Sequence, residues 1–141
     1  MRSHTFTVED NPSRKDVDAL SLGLNQHARA YTQTPGFQSL GVFMRSESGA
    51  IVGGVWGYVN WNWLWIGLVW LSDELRGSGY GRDMMNAIEQ AARERGCHYS
   101  HLDTFSFQAR PFYESLGYEV FATLDDYPPG HQRFFLKKSL I

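Results

Sequence analysis

An apolar run that stops in a cluster of glycines and restarts as a helix leaves few folds open. Here Leu68-Val69-Trp70-Leu71 passes through Ser72-Asp73-Glu74-Leu75 into Arg76-Gly77-Ser78-Gly79-Tyr80-Gly81-Arg82. The segment reads as strand, loop, helix. Backbone N–H groups at a helix start have no intrahelical acceptor and lie at the positive end of the helix dipole, so they bind phosphate-like anions. Glycines let such a group approach the main chain closely. Arg76 and Arg82 flank the turn and add charge-assisted donors, which makes the loop a candidate pyrophosphate cradle.

The period on either side of this loop sets the fold class. Asp10-Asn11-Pro12-Ser13 reads as a helix start, with Val17, Leu20 and Leu24 recurring at helical spacing after it. Phe6 to Val8 is expected as a short opening strand, and Thr32, Thr34, Pro35 and Gly36 mark a polar loop. Gly41 to Arg45 and Ala50 to Val59 form an expected hairpin around Ser46-Glu47-Ser48-Gly49, and Trp63 to Leu71 is a third strand. From Gly81, Met84, Met85, Ile88, Ala91 and Ala92 line one face of a helix that stops at Gly96. Tyr99 to Phe105 returns as a strand. Ala109 to Leu116 is a short helix with Pro111 in its first turn and Gly117 as its stop. Tyr118 to Leu124 and Arg133 to Lys138 close the chain as a strand pair. Strand, crossover helix, strand implies one parallel pairing inside a mostly antiparallel sheet, a mixed α/β (α+β) domain flanked by helices.

A length of 141 residues suits one domain spanning 1–141. Thirteen basic against fifteen acidic residues leave a net charge of −2, so neither nucleic acid nor an anionic membrane is an expected partner. The start of the chain lacks the apolar segment of a signal peptide, and Gly57, Asn60, Asn62 and Gly67 interrupt the tryptophan-rich region. A cytoplasmic protein without a membrane span is therefore expected. Cys97 is the only cysteine. It excludes an intrachain disulfide and a cysteine-based zinc site, and no metal site is expected.

Arg76, Gly79 and Gly81 fit the pattern Arg/Gln-x-x-Gly-x-Gly/Ala, and Tyr113 to Tyr118 fits Tyr-x-x-x-Gly-aromatic on a later helix. With both motifs in order over about Trp63 to Tyr118, the chain resembles the GCN5-related N-acetyltransferase (GNAT) superfamily. A P-loop would need Gly-Lys-Ser/Thr after the glycines, and a dinucleotide fingerprint would follow the first strand. The resemblance implies acetyl-CoA as cofactor, its pyrophosphate on the amides of Gly77, Ser78, Gly79, Tyr80, Gly81 and Arg82. It also implies that Val69 and Leu71 offer main-chain groups to pantetheine, on a strand that splays from its parallel neighbour. Gly67 is the expected bulge. Trp61, Trp63 and Trp65 have one parity and Trp70 the other, so one inserted residue would bring them to a common face.

Direct transfer of acetyl to a primary amine, with a small molecule as the acceptor, is the implied reaction. Tyr113 is then the proton donor to the departing sulfur; its alternative is packing beside Phe112. Asn62 to Leu71 holds no acidic or histidine side chain to serve as base. His101 and Asp103 share a strand face, and Asp125, Asp126 and His131 lie near the last hairpin. Asp103 ranks first, because a carboxylate between Leu102 and Thr104 is costly if buried and unpaired. Ser106 stands seven before Tyr113, where the family often has a CoA-binding asparagine. By the same analogy Tyr31, Phe37, Trp56 and Tyr127 are acceptor-pocket candidates. The tryptophans suit aromatic walls around a cationic or planar acceptor, but core or interface packing carries more weight. Trp56, Trp61 and Trp63 are candidates for a homodimer patch. The competing functions are a CoA-binding sensor or interaction module and a protein or peptide N-acetyltransferase.

Overall fold

The computed structural model describes residues 2–32 and 37–141. The chain divides into two compact units, Met1–Pro35 and Gly36–Ile141. The first contains helix α1 (Arg14–Ala28), capped by Ser13, whose hydroxyl oxygen accepts from the Asp16 amide at 3.2 Å. The expected strand over Phe6 to Val8 is absent. Those residues form no helix or strand, and the rings and methyls of Phe6 and Val8 are exposed; three residues with no paired ladder do not make a strand. The loop residues Thr34, Pro35 and Gly36 lie outside the described residues.

The second unit is a mixed sheet with two helices. Its strands are β1 (Gln38–Arg45), β2 (Ile51–Asn60), β3 (Trp63–Leu71), β4 (Tyr99–Phe105), β5 (Glu119–Asp125) and β6 (Gln132–Ser139). Helix α2 (Tyr80–Glu94) crosses from β3 to β4, and the short helix α3 (Arg110–Ser115) links β4 to β5. The sheet order is β1-β2-β3-β4-β6-β5. Every neighbouring pair is antiparallel except β3 and β4, the pair that a helical crossover requires to be parallel.

Alternation along the strands separates two faces. Val55, Val59, Leu64, Ile66, Leu102 and Leu136 are buried on one face, in a core with Met84, Met85, Ile88 and Ala92 of α2. That core holds one carboxylate. Glu89 is 2% exposed and accepts from Lys138 Nζ at 2.7 Å and from the Tyr118 hydroxyl at 2.9 Å. The Tyr118 hydroxyl also lies 2.9 Å from Ser100 Oγ on β4. Burial, then the Glu89 charge, pushes the Tyr118 phenol well above its usual pKa. Helix, sheet and β5 approach are thereby joined through one satisfied polar cluster. Among the described residues no helix is long and apolar enough to cross a membrane.

Candidate active site

The site begins with one extra residue. Trp56 pairs with Leu68 and Gly57 with Ile66, so Gly67 is left without a counterpart on β2 and forms the expected bulge. The bulge bends the β3 backbone toward β2: a Cβ at Gly57 would lie 1.9 Å from the Trp65 carbonyl oxygen. It also shifts the phase of the strand. Leu64 and Ile66 before it, and Val69 and Leu71 after it, sit opposite core-face residues of β2, while Trp63, Trp65 and Trp70 share the other face. Trp61 departs from the expected set because it occupies the β2–β3 turn, at φ 53°.

Parallel pairing between β3 and β4 runs from Trp63↔Tyr99 to Ile66↔Leu102 and ends there. Beyond it the strands diverge. Gly67 to Leu71 on one side and Asp103 to Phe105 on the other line a cleft of about 880 Å³, within the usual range for ligand sites.

The glycine-rich turn closes one end of this cleft. Gly77 and Gly79 have φ of 84° and 86°, a region that L side chains enter at a cost of roughly 1–2 kcal/mol. Gly79 caps α2 without offering a side-chain acceptor. Among the described residues, no protein acceptor meets the amides from Gly77 to Arg82; the first helical bond of α2 is from Asp83 N to Gly79 O. Gly77, Gly79, Tyr80, Gly81 and the two arginines line the cleft. Arg76 pairs with Asp73 at 3.3 Å on the exposed surface, a bond weak enough to exchange for an anion. Arg82 reaches Ser115 Oγ at 3.4 Å. Ser78 belongs to the turn but does not line the cleft.

Tyr113 enters from α3, 8% exposed, with its ring beside Phe112 and Tyr118. Its packing beside Phe112 is as the alternative reading has it, and it also lines the cleft. Burial, reinforced by Asp103, pushes its phenol up to about 12. The group is therefore held protonated at neutral pH.

Asp103 lies at the start of the divergence and faces the cleft. Arg133 of β6 grips its Oδ2 through Nη2, leaving Oδ1 without a protein donor among the described residues. Arg133 also donates to the Tyr127 hydroxyl at 3.1 Å and lies over the rings of Phe105, Tyr127 and Phe135. The Asp103 contact raises the Arg133 pKa further. His101, on the same face, sits edge-on to Trp63 at 5.4 Å, and burial lowers its pKa. Asp125 and Asp126 make turn bonds to Gln132 and Gly130.

The remaining candidates fall around the cleft rather than in it. Ser106 is held by β6: its Oγ accepts from Gln132 N at 3.1 Å and lies 3.1 Å from His131 Nδ1. Gln108, which sequence reasoning passed over, lines the cleft in its place. Its Oε1 takes donors from Thr104 Oγ1 and Phe105 N, directing the amide end elsewhere. The signal was an amide side chain two residues beyond the position inspected. Arg133 also escaped notice, being thirty residues from its partner with no motif to join them. Trp56 clusters with Tyr58 and Trp65 and donates from Nε1 to Ser39 Oγ at 2.8 Å, and Phe37 packs against Tyr58. Tyr127 stacks on Phe105. Tyr31 lies in the first unit, its ring beside His27. Among the described residues no group of three or more His, Cys, Asp or Glu side chains is placed to hold a metal ion.

The acetyltransferase (GNAT) family model matches residues 10–118. A blasticidin-S acetyltransferase from Streptomyces morookaense is 41% identical over 95 residues, covering 67% of this chain and 70% of that protein. The crystal structure of an acetyltransferase from Bacillus cereus aligns with a TM-score of 0.84 at 29% identity, over 94% of this chain and 97% of that one. An acetyltransferase structure from Bacillus anthracis, solved in complex with acetyl coenzyme A, shares the fold. Its TM-score is 0.63 at 18% identity, over 79% of this chain and 66% of that one.

Proposed function

Because the chain belongs to the GNAT family of acetyltransferases, we propose that it moves an acetyl group from acetyl-CoA directly to the primary amine of a small molecule. The carrying observation is the cleft itself: a parallel strand pair opens after Ile66↔Leu102 between uncapped amides at one end and the protonated Tyr113 phenol. The family match spans both compact units, which supports reading 1–141 as one transferase domain.

The residues present fit acetyl-CoA. The amides from Gly77 to Arg82 receive a pyrophosphate, with Arg76 and Arg82 as added donors. The β4-facing backbone from Gly67 to Leu71, without a strand partner, lets Val69 and Leu71 bond an extended pantetheine arm as a strand would. Gln108, which lines the cleft while Ser106 is held by β6, would take over the contact to the arm. Bound there, acetyl-CoA supplies the activated thioester carbonyl. Tyr113, which lines the cleft, would donate its phenol proton toward the leaving sulfur. With a phenol near 12 against about 8.5 for a thiol, full proton transfer is uphill by about 5 kcal/mol. Tyr113 therefore acts first as a hydrogen-bond donor whose bond strengthens as charge builds on sulfur. Asp103 orients the incoming amine through its free Oδ1. A carboxylate is a far weaker base than an amine, so Asp103 passes the proton to water, while Arg133 keeps the carboxylate in place. The similarity to a blasticidin-S acetyltransferase makes blasticidin S the first acceptor to try.

Titration calorimetry with acetyl-CoA, followed by thiol release and product mass in the presence of blasticidin S and a panel of amines, tests this reading. Saturable binding with acceptor-dependent CoA release supports it. Binding without release from any amine leaves a CoA-binding module, release with peptide amines alone makes it a peptide acetyltransferase, and no binding by folded protein overturns it.

A further inference from the structure

Past the point where β3 and β4 part, both walls of the cleft carry aromatic rings on the same side of the sheet. Burial alternates along β4, with Ser100, Leu102 and Thr104 turned to the core and His101, Asp103 and Phe105 to the opposite face. Trp65 pairs with His101 and shares that face, and the Gly67 bulge returns Trp70 to it as well. Trp70 lines the cleft from β3, while Asp103, Phe105 and Phe107 line it from β4 and the turn that follows. Tyr113, by contrast, belongs to the core cluster. The phenol and the Asp103 carboxylate therefore reach the cleft from opposite faces of the sheet.

Two of these rings are left open. Trp56, Trp63 and Trp65 each pack against a neighbouring ring, whereas Trp70 is 53% exposed and meets no other ring among the described residues. Phe107 is 56% exposed yet held from behind: it lies parallel to Phe105 at 5.4 Å, and Phe105 in turn stacks on Tyr127. Its turn is tied down by Ser106 N donating to the Gln132 carbonyl at 2.8 Å and Gln108 N to the Phe105 carbonyl at 2.9 Å. Single exposed apolar side chains are ordinary on a protein surface. Two of them on the two walls of one cleft form a slot, because a flat group entering between them covers both rings. A charge completes it. Asp103 Oδ1 has no protein donor among the described residues, the other oxygen being held by Arg133. Asp103 and Phe105 are alternate residues of one strand, about 7 Å apart, so the aromatic wall begins one strand repeat beyond the carboxylate.

We infer that the acceptor is an amine carrying a flat aromatic or heteroaromatic ring on a short tether, the ring seated between Trp70 and Phe107 and the nitrogen led in by Asp103. Electron-poor and cationic heterocycles gain most in such a slot, because the faces of indole and phenyl rings carry negative potential. That the amine is acetylated rests on the transferase reading above; the seating of the ring does not.

The probes are 3-phenylpropylamine and 3-cyclohexylpropylamine, which share a tether and differ in the flatness and π-face of the ring. Thiol release with acetyl-CoA and the full chain gives their constants, and calorimetry gives the binding of each amine without cofactor. For the wild type, KM for the phenyl amine should be about fivefold below that for the cyclohexyl amine, the size of an aromatic contact, with kcat for the two within threefold. Trp70→Leu and Phe107→Leu alter half-exposed positions, where substitutions seldom disturb folding. Each should raise the phenyl KM about threefold, and the double variant about tenfold, with acetyl-CoA affinity and melting temperature unchanged. A phenyl preference below twofold, or one that survives in the double variant, overturns the slot while the transferase reading stands. Weakened acetyl-CoA binding at unchanged amine binding assigns the rings to the cofactor and overturns it too. If acetyl-CoA does not bind and no amine is turned over, the transferase reading falls. Calorimetry then decides the slot alone: a phenyl preference lost in the double variant upholds it, and its absence overturns it.

Discussion

Strands β3 and β4 are two structures in one. From Trp63 to Ile66 they are zipped to Tyr99 through Leu102, with Leu64, Ile66 and Leu102 closed into the core. From Gly67 onward the same strands part, and their side chains and backbone groups line a cleft. The zipped half answers to packing alone. The parted half opens the cleft around which the groups assigned to the reaction gather, since unpaired strand edges, uncapped amides and a buried phenol are useful only where a ligand can complete them. One residue, Gly67, separates the two behaviours.

That contrast can be broken in four ways, in descending size of effect. Replacing Tyr113 by Phe should lower kcat roughly a thousandfold, as loss of a positioned acid does, with acetyl-CoA affinity and melting temperature unchanged; a kcat within tenfold of wild type would remove Tyr113 from the chemistry. In the zipped half, Leu64→Ala should cost about 3 kcal/mol of stability, the usual loss for a fully buried leucine. Denaturant unfolding measures that loss, and the constants for the remaining folded enzyme should stay within twofold. Gly79→Asp puts a carboxylate where the anion belongs and should weaken acetyl-CoA binding about a hundredfold, near 2.7 kcal/mol by calorimetry. Smallest is the effect of pH at the seam. His101 has a lowered pKa in the folded state, so the unfolded chain takes up its proton first on acidification. Stability is then full above about 6.5 and declines as pH falls from there toward the folded value. His101→Gln should flatten that limb in melting curves between pH 7 and 5, and an unchanged slope would show that His101 is not the group responsible.

Much of this architecture was legible from residue order. The β3 and β4 boundaries, the α2 face and the Gly67 bulge follow from strand and helix periods and from glycine placement, which are local properties. The glycine-rich turn was legible for the same reason: its conformation is written in seven consecutive residues. What escaped depends on partners distant in sequence. Arg133 meets Asp103 only because β6 inserts beside β4. Phe6 to Val8 failed in the opposite sense, since Phe6-Thr7-Val8 has strand propensity but no ladder to join.

The Glu89 cluster bears on how the glycine-rich end of the cleft is held. The carboxylate sits in α2, ten residues beyond the Gly79 cap, and answers at once to Lys138 and to Tyr118, which in turn meets Ser100. A helix fastened in this way cannot slide or swivel along the sheet without stranding a charge in the core. Its open amides are thus aimed before any anion arrives. If acetyl-CoA docks there as proposed, association requires little reorganisation of the protein, and most of the ordering that accompanies it falls on the flexible cofactor.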